Sequence, residues 1–220
     1  MFTTTTEQHV VIPSGGITME GDLIIPPEAR SAVIFAHGSG SSRHSPRNRY
    51  VASVLQEAGI GTLLFDLLTG EEDNLYENRF DIDLLTDRLK AATLWLGKQP
   101  QAAGLTLGYF GASTGTASAL RAAADLGPAI GAVVSRGGRP DLAEQALGRV
   151  HVPVLLIVGG DDTHVIELNR QAYGMIRSEK HLAVIPGATH LFEERGALEE
   201  VARLATDWFK RHLLPAKGST

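Results

Sequence analysis

The sequence contains no cysteine in 220 residues. That excludes disulfides, thiolate metal sites and a cysteine nucleophile, and it suits a reducing compartment. Basic runs are also missing. None exceeds two residues, the formal net charge is -5 and the pI is about 5.9. Nucleic acid is therefore not an expected partner, because a phosphate backbone is held by clustered Lys and Arg. No stretch approaches the roughly 20 apolar residues of a membrane-spanning helix, so no membrane association is expected. Met1-Phe2-Thr3-Thr4-Thr5-Thr6-Glu7 lacks the basic-then-apolar pattern of a signal peptide. The expected location is the cytoplasm. Repeats and low-complexity blocks are absent. No His, Asp or Glu set stands at metal-ligand spacing, so neither metal nor other cofactor is expected.

What is present is an ordinary globular composition, 43% hydrophobic and 20% charged. A chain of this length can bury a large core as one domain. We expect a single domain over 1–220, with 1–8 and 215–220 fraying. Composition sets no oligomeric state.

Apolar runs and amphipathic stretches alternate along the chain. Val10–Ile12 and Ile17–Ile25 look like two strands joined by the turn Pro13-Ser14-Gly15-Gly16. Further strands are expected at Ser31–Ala36, Gly61–Leu67, Leu105–Phe110, Ala129–Val134, Val152–Val158 and Leu182–Ile185. Helices are expected at Pro46–Ala58, Phe80–Gly97, Thr114–Leu126, Leu142–Leu147, Val165–Ile176 and Ala197–Leu213. Leu68–Asn78 is acidic and looks irregular. This order implies an α/β fold. About eight strands form a mostly parallel sheet with helices on both faces.

In such sheets, sites form beyond the carboxyl ends of the strands. After Leu105–Phe110 comes Gly111-Ala112-Ser113-Thr114-Gly115, a G-x-S-x-G between a strand and a helix. That is the context of a nucleophile elbow, in which glycines relieve a tight turn and the serine hydroxyl is exposed. After Val152–Val158 comes Gly159-Gly160-Asp161-Asp162. Either aspartate could hold an imidazole in the required tautomer, or Asp162 could simply cap the next helix. After Leu182–Ile185 comes Pro186-Gly187-Ala188-Thr189-His190, which puts a general base on a loop. The order serine, aspartate, histidine is the order of this fold class.

After Ser31–Ala36 comes His37-Gly38-Ser39-Gly40-Ser41-Ser42. Ser39 N–H and Thr114 N–H are the expected oxyanion donors, and His37 is expected to orient the loop. Two weaker features follow. Arg136, in Ser135-Arg136-Gly137-Gly138-Arg139, could contact an anionic substrate group, pair with a carboxylate, or be solvated. Arg43 and His44 could line one rim.

These segments resemble the α/β-hydrolase superfamily, and within it the small dienelactone hydrolase-like branch. The strongest stretches are FAHGSGSSRHSPRN, GYFGASTG, LLIVGGDDTHVIELN and VIPGATHLFEE. The resemblance implies Asp162 as the acid, since the acid usually stands fourth in the GGxD turn. It also implies Ser39 as the loop donor. Dienelactone hydrolases carry a cysteine nucleophile. The serine here resembles that of carboxylesterases and points away from dienelactone as substrate. Many lipases insert a lid where Gly137–Val150 has only about a dozen residues, too few to cover an apolar pocket. The expectation is a lidless serine hydrolase for short-acyl or accessible bulky esters, a small-molecule substrate. Alternatives are a thioesterase, lactonase or amidase on the same triad, and a non-catalytic binding module.

Overall fold

The strand Ser31–Ala36 has no polar face, and in the computed structural model every one of its residues is buried. The structure describes residues 6–214. Eight strands form one sheet: β1 Gln8–Ser14, β2 Ile17–Ile24, β3 Ser31–Ala36, β4 Gly61–Phe65, β5 Thr106–Ala112, β6 Ile130–Arg136, β7 Val154–Gly159 and β8 Lys180–Ile185. Their spatial order is β1-β2-β4-β3-β5-β6-β7-β8. β2 runs antiparallel to both β1 and β4, and all other pairs are parallel.

The helices are α1 Pro46–Glu57, α2 Gly70–Asp73, α3 Ile82–Leu96, α4 Gly115–Leu126, α5 Glu144–Leu147, α6 Thr163–Met175 and α7 Ala197–Leu213. Because strand residues alternate between faces, the sheet feeds two cores. Ile34, Leu63, Tyr109 and Leu156 pack towards α3 and α4. Phe35, Leu64, Phe110 and Ile157 pack towards α1 and α7. Helix α7 fits so closely that a Cβ on Gly108 would lie 3.0 Å from Phe209. Phe209 is fully buried; its truncation to alanine would cost about 3–5 kcal/mol. Glu199 and Glu200 in the first turn of α7, and Lys210 and Arg211 in the last, suit the helix dipole.

The eight-stranded, mostly parallel architecture is the expected one. Several boundaries differ. β5 and β6 each extend two residues beyond the expected ends, because their pairing continues to Ala112 opposite Arg136. The acidic stretch after β4 is not wholly irregular. Thr69 and Glu72 form a reciprocal capping box that starts α2, and a 3-10 turn follows at Tyr76–Phe80. Helix α3 starts at Ile82, not Phe80, because Asp81 caps Leu84 N–H. Of the stretch expected to fray at the start, 1–5 lies outside the described residues, while Gln8 already belongs to β1. The stretch 215–220 lies outside them as well. Between β6 and β7 there is only a 3-10 turn at Pro140–Ala143 and the four-residue α5, so among the described residues no lid is inserted there.

Candidate active site

The turn from β5 into α4 is tight because backbone packs on backbone. A Cβ on Gly111 would lie 2.6 Å from Thr116 Cα, and one on Gly115 would collide with the carbonyls of Ala36 and His37. Only glycine fits either position. Between them Ser113 has φ 50°, a conformation that non-glycine residues rarely adopt. The strain is held from both sides. Ser113 N–H donates to Arg136 O at 3.2 Å, and Ser113 O accepts from Thr116 N–H at 3.1 Å and Arg139 N–H at 3.0 Å. The side chain is left half-buried at the carboxyl edge of the sheet.

The turns after β7 and β8 are laced together. Gly160 N–H donates to Ile185 O, and Asp161 N–H to Ala188 O. This lacing places His190 Nδ1 2.7 Å from Asp162 Oδ2. Asp162 stands at the N-cap position of α6, yet its side chain makes no cap bond. Asp161 is exposed. With Nδ1–H held by the carboxylate, Nε2 is the nitrogen left to accept a proton. A Cβ on Gly137 would sit 3.4 Å from His190 Cε1, so the ring rests beside the end of β6. Among the described residues no hydrogen bond joins Ser113 Oγ to the His190 ring.

The loop after β3 presses against the serine. A Cβ on Gly38 would lie 3.1 Å from Ser113 Cβ. His37 ties this loop down from below. Its Nδ1 pairs with Gly38 O at 2.9 Å and its Nε2 accepts from Leu67 N–H at 3.0 Å, which requires the neutral ring. Burial lowers the His37 pKa, which keeps the ring neutral, while Gly38 O, Asp66 and Asp73 act the other way. Ser39 N–H, one expected oxyanion donor, is not idle. It donates to Thr114 Oγ1 at 2.9 Å.

The weaker candidates separate. Arg43 enters a carboxylate cluster, bonding Asp66, meeting Glu20 at 2.8 Å and lying 3.6 Å from Asp22. These bonds pin the loop after β3 to the sheet. His44 is exposed beside that loop. Arg136 is buried beneath the His190 loop, where Nη2 donates to Asn48 Oδ1 at 3.3 Å.

Two buried polar residues support the site and were not singled out in the sequence. Thr116 Oγ1 donates to Gly111 O at 3.1 Å and lies 3.0 Å from Ser135 Oγ. Asn169 Nδ2 donates to Gly138 O at 3.0 Å, fixing the segment that bonds Ser113 O. The available signal for Asn169 was its place on the apolar face of α6 with Val165, Ile166 and Ala172.

The hollow beside the oxyanion loop, lined by His37, Ser39, Leu67, Leu85 and Thr114, measures only about 10 Å³. Larger surface hollows of about 340 and 410 Å³ lie elsewhere, against Lys180 and Trp208 and against Arg121 and Glu144. Among the described residues no three His, Asp or Glu side chains gather as a metal site, and no helix is long and apolar enough to cross a membrane.

Sheet order, elbow and strand-end loops together define an α/β-hydrolase fold. Residues 25–213 match the dienelactone hydrolase family, and the chain belongs to that family. It is 53% identical to a dienelactone hydrolase of Anabaena variabilis, with a TM-score of 0.93 over 96% of this chain and 99% of that one. Est1E of Butyrivibrio proteoclasticus, solved with ferulic acid bound, shares the fold at 20% identity, TM-score 0.81, over 92% of this chain and 98% of that one. A putative phosphoribosyl transferase of Mycobacterium tuberculosis is 58% identical over 207 residues, 94% of this chain. The match takes in 47% of that protein, so the chain spans about half the length of the curated relatives it matches.

Proposed function

We propose that this chain is a serine hydrolase that cleaves carboxylic esters through an acyl-enzyme. The observation that carries this reading is the 2.7 Å His190–Asp162 contact, made beside a serine at positive φ. His190 Nε2 takes the proton from Ser113 Oγ as the oxygen attacks the ester carbonyl. Asp162 holds the ring and stabilises the imidazolium. Thr114 N–H and Ser39 N–H receive the oxyanion, the second by leaving Thr114 Oγ1. His190 then gives its proton to the leaving alcohol. Water activated by the same nitrogen releases the acid.

A site without a lid suits short-acyl or bulky but accessible esters. The name carried by the mycobacterial relatives is not transferred, because the shared stretch is the one that matches the hydrolase family. We take residues 1–220 as one working domain. The lack of cysteine suits the cytoplasm as its compartment.

Ser113→Ala should abolish hydrolysis of 4-nitrophenyl acetate and butyrate, and fluorophosphonate labelling with it. Asp162→Asn should lower kcat by about 10³–10⁴, while Asp161→Asn should change little. Full turnover in Ser113→Ala would end the assignment. A large loss in Asp161→Asn alone would move the acid role to that residue.

A further inference from the structure

Arg136 is 7% exposed and, among the described residues, has no carboxylate within ion-pair distance. Arg30, Arg177 and Arg195 also lack one, but each is exposed. A buried guanidinium ordinarily has a partner, because an uncompensated charge costs several kcal/mol to bury. Among the described residues Nη2 donates to the neutral Asn48 Oδ1, Nε has no hydrogen-bond partner, and the Phe192 ring lies 5.9 Å away. Burial pulls the Arg136 pKa down to about 10, with Arg47 pushing the same way and no acid opposing.

The surroundings make the imbalance larger. Asn48 belongs to the first turn of α1, so the N-terminal turn of that helix lies next to this guanidinium. The Ser45 side chain caps Asn48 N–H, which leaves Arg47 N–H uncapped. A helix end adds about half a positive charge. Arg47 contributes a second guanidinium with an unpartnered Nε, and its one carboxylate is the mostly exposed Glu193, at 3.1 Å. The local excess is therefore between one and two positive charges. A phosphate group carries about that much negative charge at neutral pH, whereas a carboxylate leaves part of the excess unbalanced.

Position ties this cluster to the reaction. Arg136 O accepts Ser113 N–H, Gly137 lies beside the His190 ring, and Phe192 follows His190 by two residues. We propose that Arg136, Arg47 and the first turn of α1 form an anion subsite beside the serine. It takes a phosphate group carried by the ester substrate, and so names a phosphorylated ester as the substrate class. The substrate part of this inference rests on the hydrolase function proposed above; the anion site does not.

Inorganic phosphate is the first probe. It should raise the Tm of the wild-type protein and of Ser113→Ala alike, and inhibit hydrolysis of 4-nitrophenyl butyrate competitively. Arg136→Gln should weaken phosphate binding at least about tenfold, as expected for loss of a charge-assisted contact. Arg47→Gln gives the same reading from a half-exposed position should Arg136→Gln fail to fold. The second probe compares 4-nitrophenyl 4-phosphonobutyrate, succinate monoester and butyrate. The wild type should prefer the phosphonate, and Arg136→Gln should lower the phosphonate-to-butyrate ratio of kcat/KM about tenfold or more. An unchanged wild-type Tm in phosphate, or an equal response in the Arg variants, would overturn the site. Phosphate binding with no preference for the phosphonate ester would confine it to free phosphate and overturn the substrate class. Equal preference for the carboxylate would do the same. Phosphate binding that survives in a protein showing no Ser113-dependent turnover would separate failure of the hydrolase reading from failure of the site.

Discussion

Replacing Thr114 by valine removes one hydroxyl and keeps the shape of the side chain. In the resting structure that hydroxyl accepts Ser39 N–H at 2.9 Å. Thr114 is 2% exposed, so the bond is shielded on one side. In the reaction proposed above, Ser39 N–H must turn to the oxyanion, and the resting bond is lost. Such a bond contributes about 0.5–1.5 kcal/mol net. That amount stabilises the resting enzyme only, so removing it should lower the barrier by a similar amount. Thr114→Val should therefore raise kcat about two- to tenfold on 4-nitrophenyl butyrate. The backbone N–H of residue 114 is unchanged by the substitution. Stability should fall by about 0.5–1.5 kcal/mol, which for a chain of this length lowers Tm by a few °C. Thr114→Ser keeps the hydroxyl and should behave as wild type. Steady-state kinetics and thermal melts on the same preparations read both effects. A loss of about 10²–10³ in kcat, the usual result of deleting an oxyanion donor, would refute the reasoning. The hydroxyl itself would then be the donor.

Two further outcomes follow from packing and protonation. Gly115→Ala must push a methyl into the carbonyls of Ala36 and His37, so it should cost at least about 1–3 kcal/mol and most of the activity. Gly148→Ala has nothing within 4 Å of the new methyl and should stay within about 0.5 kcal/mol of wild type by thermal melting. His37 stays neutral in the folded protein to below its ordinary pKa of 6.5, chiefly because it is buried, whereas the unfolded chain takes up a proton from there downward. Stability should therefore be undiminished above pH 6.5 and fall as the pH drops below it. His212, lowered chiefly by burial, adds in the same direction. Urea midpoints at pH 7.5 and 5.5 should show the drop, and His37→Asn should flatten it; an equal drop in that variant would refute the assignment.

Much of the fold was legible because its signals are local. SAVIFA and VLLIVG carry no polar face, so they could only be strands covered on both sides. G-x-S-x-G between a strand and a helix encodes its own turn, since two glycines and a serine are what that backbone path tolerates. Boundaries were less legible. Where β5 and β6 end depends on how far each finds a neighbour, and that neighbour is distant in sequence. The start of α2 was missed because its capping box sits in an acidic run with no apolar periodicity.

The sequence by itself determined the order of strands and helices, the elbow around Ser113, and which short loops carry an acid, a base and small residues. Composition and periodicity alone left Asp161 and Asp162 open, and the resemblance to the family favoured Asp162. The lacing of the loops after β7 and β8 puts the Asp162 carboxylate on His190 and leaves Asp161 exposed. Nor could the sequence say whether Arg43 or Arg136 would find a carboxylate. Tertiary structure gives Arg43 its acids from β2 and the end of β4, and gives Arg136 none among the described residues. The Ser39–Thr114 bond joins residues 75 apart. The division is physical. Backbone conformation and burial pattern are set by neighbours along the chain. Charge balance and hydrogen-bond partnership are set by neighbours in space, and these exist only once the sheet has brought its strand ends together.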